Sequence, residues 1–511
     1  MNELAKLIKE AASKKISVQE QRRKQAQTET VRRQRRSTLN LPELEVREPA
    51  TWAYHPSHNP FHVRARAASI GHAIDLAIKS RNYAPLPPAG FQIPKANGKH
   101  RTVTSFSIAD EVVSKRLYSS LINKNRTRLS ARSYAYRKDL NINDAISHIQ
   151  SEWRDEHRIY LAEYDFTDYF GSIDHDQIWS TISRIGLSIT RTERHLLRAF
   201  MQAPQPTILP NCMPASADSR SKGIHQGTTI SLLLANIVAT PFDRELERLG
   251  VSFTRYADDI VIWSRDYGNI NRAVDELHRF AERIGCQINH SKSRGVSLLT
   301  SPDARSAELL TSHHTEFLSH RISLRKISLS DRAIANAKHT IEEYIYNHLL
   351  REPLRGSQDL GRLRGNLDRD YIALLSQLRR YLYGSLSEEQ LRRLLRGPLP
   401  SMISLGGLLG RHPMVDDVQQ LRALDRWMST QIWLAMRKRE RLLSQKISHT
   451  PQPWGYTKED LYKFTTRSSR GSHLPVDGRV PSAVRMNELV RRAVRAHGTR
   501  VATHTTSLYR W

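Results

Sequence analysis

The chain has 511 residues and only two cysteines, which excludes a disulfide framework and a zinc module that needs four thiolates. Its 79 Lys and Arg against 51 Asp and Glu give a formal net charge of +28, which favours a polyanionic partner such as nucleic acid. The N-terminal sequence lacks the continuous apolar core of a secretory signal, and no apolar stretch reaches the roughly 18 to 20 residues that span a bilayer. We therefore expect a cytoplasmic protein without a membrane partner.

The N-terminal part, residues 1–75, is predicted to be a basic extension. Within residues 21–36, seven Arg or Lys accompany one Glu. Such runs are typical of solvated or disordered tails, and RNA binding is the functional alternative. The Pro-rich stretch 82–90 breaks any helix, and residues 91–103 then predict a basic β-hairpin around an Asn-Gly turn.

Strand and helix patterns alternate from about residue 151 to 325. Patterns of this kind predict an α+β sheet with helices on one side. The predicted elements are a strand at 159–166, helices at 191–203 and 229–249, a hairpin at 253–263 and an amphipathic helix that Gly285 ends.

The chain after residue 326 is predicted to be almost wholly helical. Ser330 is a plausible cap for a first helix, and Ser387 with Gln390 forms a capping box for a later helix that Gly397-Pro398 is predicted to end. A long helix is predicted within 416–445, followed by a basic tail punctuated by Gly, Ser and Pro.

Two adjacent carboxylates, Asp258 and Asp259, lie in an otherwise apolar run, and Asp165 ends an apolar strand upstream, with Asp168 three residues later. Turn or cap carboxylates are the ordinary interpretation. However, if the two strand ends are neighbours, Asp165 and Asp258 converge, since neighbouring strands lie about 4.8 Å apart. Oxygen ligands that converge in this way suit Mg²⁺, and pairs of such ions catalyse in-line displacement at phosphorus.

Seven motifs in the same order resemble those of reverse transcriptases. The YADD sequence resembles the YxDD signature of that family, and YDFTDYFGSIDH resembles its first catalytic motif. The others are FQIPKANGKHR, SYAYR, GIHQGTTISLLLAN with His225 where Pro is usual, GCQINHSKS, and TEFLSHRIS with Ser319 in place of Gly. Together they cover residues 91–323.

The resemblance implies an α+β right-hand polymerase with fingers, a ferredoxin-like palm and a helical thumb. The implied order is a basic N-terminal extension (1–75), fingers (76–150), palm with part of the fingers (151–325), helical thumb (326–397) and a helical, basic C-terminal extension (398–511).

The resemblance also implies roles for acidic and basic residues. Asp165 and Asp258 would bind two Mg²⁺ ions, and Asp259 would complete the metal site less directly. Lys95 and Arg101 would contact the triphosphate of the incoming dNTP, because a point charge and a planar fork on a hairpin can close over phosphates.

Four further positions match motif residues near the substrate. Gln226 and Gly227 would border the nascent base pair. Phe170 would be a steric gate that rejects a 2′-hydroxyl, with a core aromatic as the alternative. Lys292 would donate a proton to the leaving pyrophosphate, with a simple phosphate contact as the alternative.

The motifs also bear on the subgroup within the family. Paired metal ligands of an intron-type endonuclease and the NAxxH and VTG segments of retrons are not found, which favours the unassigned bacterial enzymes associated with antiphage defence. We therefore expect an RNA-directed DNA polymerase that copies a dedicated noncoding RNA into a DNA product. The alternative is an intron-type maturase or RNA-binding scaffold whose polymerase activity is dispensable.

The C-terminal extension is not covered by the motifs. Its charge and helicity fit binding of a structured RNA. Its apolar positions Leu421, Leu424, Trp427 and Trp433 equally fit packing on the thumb or on a second subunit in a homo-oligomer. A protein hydroxyl of the C-terminal tail, such as that of Tyr509, is a further alternative as a primer.

Overall fold

The computed structural model describes residues 2–94, 98, 100–137, 139–209, 221–290, 293–302, 310–467 and 475–501. Its strands are β1 (Ala89–Pro94), β2 (His100–Ser105), β3 (Arg158–Tyr164), β4 (Phe166–Thr167), β5 (Thr207–Ile208), β6 (Ser252–Tyr256), β7 (Asp259–Ser264), β8 (Gln287–Ile288), β9 (Gly295–Thr300), β10 (Thr311–Ser312), β11 (Thr315–Phe317), β12 (His320–Ile322), β13 (Ile327–Leu329), β14 (Thr465–Arg467) and β15 (Pro475–Asp477).

Its helices are α1 (Glu3–Gln34), α2 (Ala50–Tyr54), α3 (Pro60–Ala65), α4 (Ala67–Lys79), α5 (Ile108–Asn125), α6 (Ile142–Trp153), α7 (Tyr169–Ser172), α8 (His175–Arg184), α9 (Arg191–Met201), α10 (Thr229–Arg248), α11 (Tyr267–Arg283), α12 (Asp331–Ile345), α13 (Arg351–Leu354), α14 (Arg369–Tyr383), α15 (Glu388–Arg396), α16 (Gly407–Arg411), α17 (Val418–Leu443), α18 (Lys458–Lys463) and α19 (Ala483–His497).

The chain divides into two compact units. The first comprises residues 1–25, 45–145 and 157–312, and the second comprises 26–44, 146–156 and 313–511. The five-part division expected from the motifs is finer than this and stays a prediction. The predicted mixture of a sheet and helices is confirmed, and so is the shift to mostly helical structure after the sheet.

The main sheet of the first unit has five strands in the order β10-β9-β3-β7-β6. Strand β3 lies at its centre and pairs antiparallel with both β7 and β9. The predicted hairpin is confirmed, since β6 and β7 pair antiparallel from Ser252 opposite Trp263 to Tyr256 opposite Asp259. The middle of the sheet is apolar and buried, as Leu161 and Ile262 are both fully covered.

Two of the predicted helices pack near this sheet. Helix α11 packs on β3 and β7, and α10 packs against α5, α8 and α11. The amphipathic pattern predicted for α11 is confirmed by its buried Leu277 and Phe280, and the ring of Phe280 stacks on that of Phe242 from α10 at a centroid distance of 4.7 Å. Helix α10 is buried along most of its length and also contacts β6, so it joins the sheet to the rest of the core.

A smaller three-stranded sheet in the same unit has the order β2-β1-β5. Strands β1 and β2 pair antiparallel from Ala89 opposite Ser105 to Pro94 opposite His100, which confirms the predicted basic hairpin. Of its connection, residues 95–97 and 99 lie outside the described residues.

The N-terminal basic stretch is helical and not a disordered tail. Its helix α1 has 32 residues, and Leu4, Ile8 and Ala12 are buried in the core of the first unit. The close packing is visible at Gly71 of α4, where an added Cβ would lie 2.7 Å from the Cβ of Ala5. An apolar residue at every fourth position forms one face of a helix, and this pattern overrides the high charge of the segment.

The second unit contains a small antiparallel sheet in the order β11-β12-β13. Phe317 pairs with His320, so Leu318 and Ser319 alone form the turn between β11 and β12. Both turn residues have left-handed backbones, with φ of 49° and 65°. A glycine adopts such a backbone without strain, so Ser319 is a strained replacement for the Gly of the resembling motif.

The predicted helix boundaries in this unit are confirmed at three sites. The Ser330 side chain accepts a hydrogen bond from the Ala333 N–H, and Ser387 with Gln390 forms the expected capping box. Helix α15 ends at Gly397 as predicted. Helix α12 continues through a π-helical turn, Tyr346–Leu350, into α13.

A buried ion cluster holds α17 within the second unit. The Arg439 guanidinium and the carboxylates of Asp368 and Asp370 are fully buried. Arg439 Nε donates to Asp368 Oδ2 at 2.7 Å, and Arg439 Nη2 donates to Asp370 Oδ2 at 2.9 Å. Since Leu421 and Leu424 of α17 are also buried, part of the C-terminal extension packs inside its own unit. Among the described helices, none is both long and apolar enough to cross a membrane.

Candidate active site

The turn between β6 and β7 presents the two adjacent carboxylates differently. Ala257 and Asp258 form this two-residue turn, and Ala257 has a left-handed backbone with φ of 62°. The Asp258 side chain is half-buried, whereas Asp259, the first residue of β7, is exposed. The turn therefore directs only Asp258 into a partly water-excluded position.

Asp165 follows directly after β3, the neighbour of β7 in the sheet. The pairing of Tyr164 with Ile260 brings the end of β3 beside the start of β7, so Asp165 lies next to the turn that carries Asp258. Burial raises the pKa of Asp258, and the charge of Asp165 raises this pKa further. The guanidiniums of Arg101 and Arg255 lower the same pKa. The expected convergence of Asp165 and Asp258 is thus present.

Asp165 is held by residues that follow α11. Asn289 Nδ2 donates to Asp165 Oδ2 at 3.1 Å, and the Asn289 N–H donates to the Asp165 carbonyl at 2.8 Å. Ser293 Oγ accepts a hydrogen bond from the Asp165 N–H at 3.1 Å. The GCQINHSKS motif predicts a role for Lys292, and Asn289, which stands at the Asn of the same motif, is a further site residue that this contact adds.

The donor set at this point suits a hard divalent cation. Within the described ranges, no group of three or more His, Cys, Asp or Glu side chains is arranged to hold a metal ion. The convergent donors are two carboxylates, Asp165 and Asp258, and Mg²⁺ in phosphate-transfer sites takes one or two carboxylates together with water and substrate phosphates. The residues present therefore fit Mg²⁺, and ligation by the exposed Asp259 stays a prediction.

The basic hairpin and the turn at 226–227 lie next to each other. The Thr104 N–H of β2 donates to the Gln226 carbonyl at 2.7 Å. Gly227 has φ of 133°, and an added Cβ would overlap the Thr104 carbonyl oxygen. Arg101 lies on the same strand β2, close enough to Asp258 to lower the pKa of its carboxyl. Strand β2 therefore carries Arg101 near Asp258 and also contacts the segment of Gln226 and Gly227.

His225, which stands where proline is usual in the resembling motif, is buried just before this turn. Its side chain is 5% exposed, and the ring contacts Phe106 edge-on at a centroid distance of 5.5 Å. His225 Nε2 lies 3.1 Å from the Ala203 carbonyl oxygen, to which it donates. A buried histidine with a satisfied ring nitrogen is able to anchor the segment before Gln226.

Phe170 lies in the short helix α7, five residues after Asp165. Its ring is 8% exposed, and the Tyr169 ring meets it edge-on at 5.8 Å. The Phe170 carbonyl accepts a hydrogen bond from the Ile224 N–H at 2.8 Å, which links α7 to the segment before Gln226. This position is compatible with both interpretations of Phe170, the steric gate and the core aromatic.

Lys95 and Lys292 lie outside the described residues, so their predicted roles stay predictions. The same holds for Tyr509 in the C-terminal tail.

The fold has the mixed sheet and helices expected of a right-hand polymerase. A central antiparallel sheet brings a carboxylate from a strand end beside a carboxylate from a hairpin turn, and a basic hairpin flanks them. Residues 93–322 match the family model described as "Reverse transcriptase (RNA-dependent DNA polymerase)". The part of the chain that is similar to this family takes up less than half of its 511 residues.

One curated relative is Protein YkfC of Escherichia coli (strain K12). It is 28% identical over 171 residues, which are 33% of this chain and 42% of YkfC. The chain thus matches less than half of the length of this relative.

Solved structures of yeast telomerases also show similarity. The apo telomerase of Candida tropicalis has a TM-score of 0.39 at 11% identity, over 78% of this chain and 66% of that chain. The Candida albicans telomerase in complex with a TWJ fragment of telomeric RNA has a TM-score of 0.35 at 10% identity, over 76% and 67%. Scores this low carry no argument about the present chain.

Proposed function

We propose that this chain is an RNA-directed DNA polymerase that extends a DNA strand by nucleotidyl transfer. The observation that carries the proposal is the convergence of Asp165 and Asp258 inside a domain that matches reverse transcriptases. A pure RNA-binding protein has no need of two carboxylates directed at one point beside an apolar sheet, because partial burial of like charges is unfavourable.

The carboxylates Asp165 and Asp258 would hold divalent cations, for which we propose two Mg²⁺ ions. Such ions would lower the pKa of the attacking hydroxyl of the growing strand and neutralise charge on the leaving group. Asn289 fixes the orientation of Asp165 by donating to its Oδ2. We assign Asp259 a supporting role through the electrostatic field of the site.

Residues of the basic hairpin and of the turn at 226–227 would bind the incoming nucleotide. Arg101 on β2 would contact the triphosphate through its planar guanidinium, together with Lys95. Gln226 and Gly227 would border the nascent base pair, since glycine allows a close approach of the backbone. Lys292 would donate a proton to the leaving pyrophosphate.

The direct test is primer extension by the purified protein on an RNA template with Mg²⁺ and labelled dNTPs. We expect DNA product from the wild type and none from an Asp258→Ala, Asp259→Ala double variant. Asp275→Ala, on the exposed face of α11, is the matched control and should retain activity. Undiminished product from the double variant would contradict the assignment of the site.

For the template, we propose a dedicated noncoding RNA, and for the biological role, antiphage defence in the cytoplasm. The net charge of +28 supports binding of a structured RNA, and the resemblance to unassigned bacterial enzymes supports the defence role. Sequencing the RNA that copurifies with the protein, together with the DNA made from it, would identify the template and the start point. Plaque counts with the wild type and the double variant would test defence.

The same variants discriminate the alternative, a maturase or RNA-binding scaffold. A scaffold would support its biological function equally well with Asp258→Ala, Asp259→Ala, because RNA contacts do not depend on these carboxylates. A loss of function in cells with unchanged RNA binding would instead favour the polymerase.

A further inference from the structure

We propose that Arg255 is a positioning residue for Asp258, acting through the backbone of the turn that presents this carboxylate. The proposal rests on the proposed function, because Asp258 matters through the cation and nucleotide that it would help to bind. The Arg255 side chain is buried and is not itself a catalytic residue. Its role would be to fix the direction in which the Asp258 carboxylate points.

Arg255 is the third residue before Asp258 and is 3% exposed. Its Nε donates to Asp243 Oδ1 at 2.7 Å and its Nη2 donates to Asp243 Oδ2 at 2.6 Å, which is a two-pronged ion pair with a fully buried carboxylate. Such a fork restricts the guanidinium to one plane and one orientation. The remaining donors of Arg255 are therefore aimed by Asp243.

One of these donors reaches the turn itself. Arg255 Nη1 donates to the Ala257 carbonyl at 3.0 Å. Ala257 has a left-handed backbone with φ of 62°, which is unfavourable for a residue with a Cβ and persists only where the surroundings enforce it. The Ala257 carbonyl belongs to the peptide unit between Ala257 and Asp258. This hydrogen bond therefore fixes the orientation of the peptide unit from which the Asp258 backbone continues.

The same guanidinium also ties the turn to two other segments. Arg255 Nη1 donates to Asn236 Oδ1 at 2.9 Å, and Nη2 donates to Ser133 Oγ at 2.9 Å. Asn236 belongs to α10, the helix that follows Gln226 and Gly227. Thus one side chain connects the segments of three sequence motifs, those that contain Ser133, Asn236 and Asp258.

Backbone contacts strengthen the connection to the Ser133 segment. The Arg255 N–H donates to the Arg132 carbonyl at 3.0 Å, and the Tyr134 N–H donates to the Arg255 carbonyl at 2.9 Å. Asn236 Nδ2 in turn donates to the Ala135 carbonyl at 2.7 Å. The hydrogen-bonding groups of this cluster are paired with one another, so its members hold one arrangement.

Stability alone does not account for this cluster. Desolvation makes a buried ion pair roughly break even, and replacement by apolar residues of similar volume is often neutral or stabilising. An apolar side chain at position 255, however, could not donate to the Ala257 carbonyl. The feature that distinguishes Arg255 from an apolar replacement is its control of the turn before Asp258.

The test uses Arg255→Lys, which keeps the charge and loses the fork. We expect the Mg²⁺ concentration for half-maximal polymerisation to rise by about 10- to 100-fold, the usual effect of losing a residue that orients a metal ligand. kcat should fall, and KM for the template and primer should not change. Independently of activity, Mn²⁺ binding to the isolated protein, followed by electron paramagnetic resonance, should weaken by a similar factor.

The chain offers a matched control in Arg439→Lys. Arg439 is likewise buried and ion-paired, in its case with two carboxylates, but it belongs to the second unit. Both lysine variants should lower the unfolding midpoint, whereas only Arg255→Lys should change Mn²⁺ binding. If Arg255→Lys does not fold, Asn236→Ala removes one contact of the same guanidinium and should weaken Mn²⁺ binding in the same direction.

The outcomes separate this proposal from the proposed function. Wild-type Mn²⁺ affinity and an unchanged Mg²⁺ curve in a folded Arg255→Lys or Asn236→Ala variant would overturn the role of Arg255, even with full polymerase activity. A wild-type protein that is inactive on every RNA template, yet binds Mn²⁺ in a manner that depends on Arg255, would overturn the proposed function and support the positioning role.

Discussion

Asn289 Nδ2 donates to Asp165 Oδ2 at 3.1 Å, and the backbones of the same two residues are joined at 2.8 Å. The carboxylate at the end of β3 is thus oriented by a residue 124 positions later in the chain. Together with the turn that carries Asp258, this contact determines the geometry of the two carboxylates.

Loss of the Asn289 side chain should impair polymerisation without unfolding the domain. For Asn289→Ala we expect a fall in activity of about 10- to 100-fold, because Asp165 loses the donor that orients it. Steady-state kinetics at several Mg²⁺ concentrations would measure the effect. Asn269→Ala, at a half-buried position in the first turn of α11, is the control, and equal activity of the two variants would contradict the role of Asn289.

Removal of the Phe170 ring should admit ribonucleotides if the ring is a steric gate. We expect Phe170→Ala to raise the ratio of ribonucleotide to deoxynucleotide incorporation, measured by competition in primer extension. Because Phe170 is buried, truncation should also destabilise the domain by about 3–5 kcal/mol. Phe166→Ala removes a neighbouring buried ring, and the same rise in the ratio for this control would mean that loosened packing, and not a gate, is responsible.

A side chain at position 227 should displace β2. In Gly227→Ala the new Cβ would overlap the Thr104 carbonyl oxygen, so we expect KM for dNTPs to rise and the free energy of unfolding to fall by more than 1 kcal/mol. Gly250→Ala is matched in having a left-handed backbone, with φ of 68°, but no neighbour within 4 Å. Equal effects of the two variants on KM would show that backbone strain, and not the overlap with Thr104, raises KM.

Breaking the buried ion cluster of the second unit should be costly. In Arg439→Met the carboxylates of Asp368 and Asp370 lose their buried partner, so we expect a loss of about 3–5 kcal/mol in the free energy of unfolding. Denaturant unfolding followed by tryptophan fluorescence would measure it, since Trp454 Nε1 donates to Asp368 Oδ2 at 3.0 Å. Arg437→Met, whose ion pair with Glu440 is half-exposed, should change stability by less than about 1 kcal/mol.

The second unit should lose stability in mild acid through His320. Burial lowers the pKa of His320 to about 3, with a smaller contribution from His412, whose ring lies 5.2 Å away. Because this folded-state pKa lies below the unfolded value of about 6.5, the unfolded chain binds the proton more tightly, and stability present above pH 6.5 is lost as the pH falls.

Between pH 7 and pH 5 the loss from this one histidine should be about 2 kcal/mol. Unfolding curves of the wild type and His320→Asn over this range would isolate the contribution, which the variant should lack. His339→Asn, on the exposed surface of α12, should keep the wild-type pH dependence. A wild type and a His320→Asn variant with the same pH dependence would contradict the prediction.

The sequence by itself determined the local elements and the identity of the acidic residues. Alternation and apolar runs predicted β3, the β6–β7 hairpin and helices α9 to α11, because these patterns depend on neighbours within a few residues. The three acids also stood out without a structure, since charges inside apolar runs are unfavourable unless they have a function. The basic composition of residues 21–36 favoured a disordered tail, which was wrong. The apolar face of α1 appears in the sequence only as single apolar residues four positions apart.

Only the tertiary structure decided which groups surround those acids. The register of β3 against β7 brings Asp165 to the Asp258 turn, and long-range contacts add Asn289 to the site and tie Arg255 to Ser133. The division between a half-buried Asp258 and an exposed Asp259 also comes from the turn, because adjacent residues in a hairpin face different surroundings. Contacts between residues about 100 positions apart depend on how the chain packs, and no local pattern in a single sequence encodes that packing.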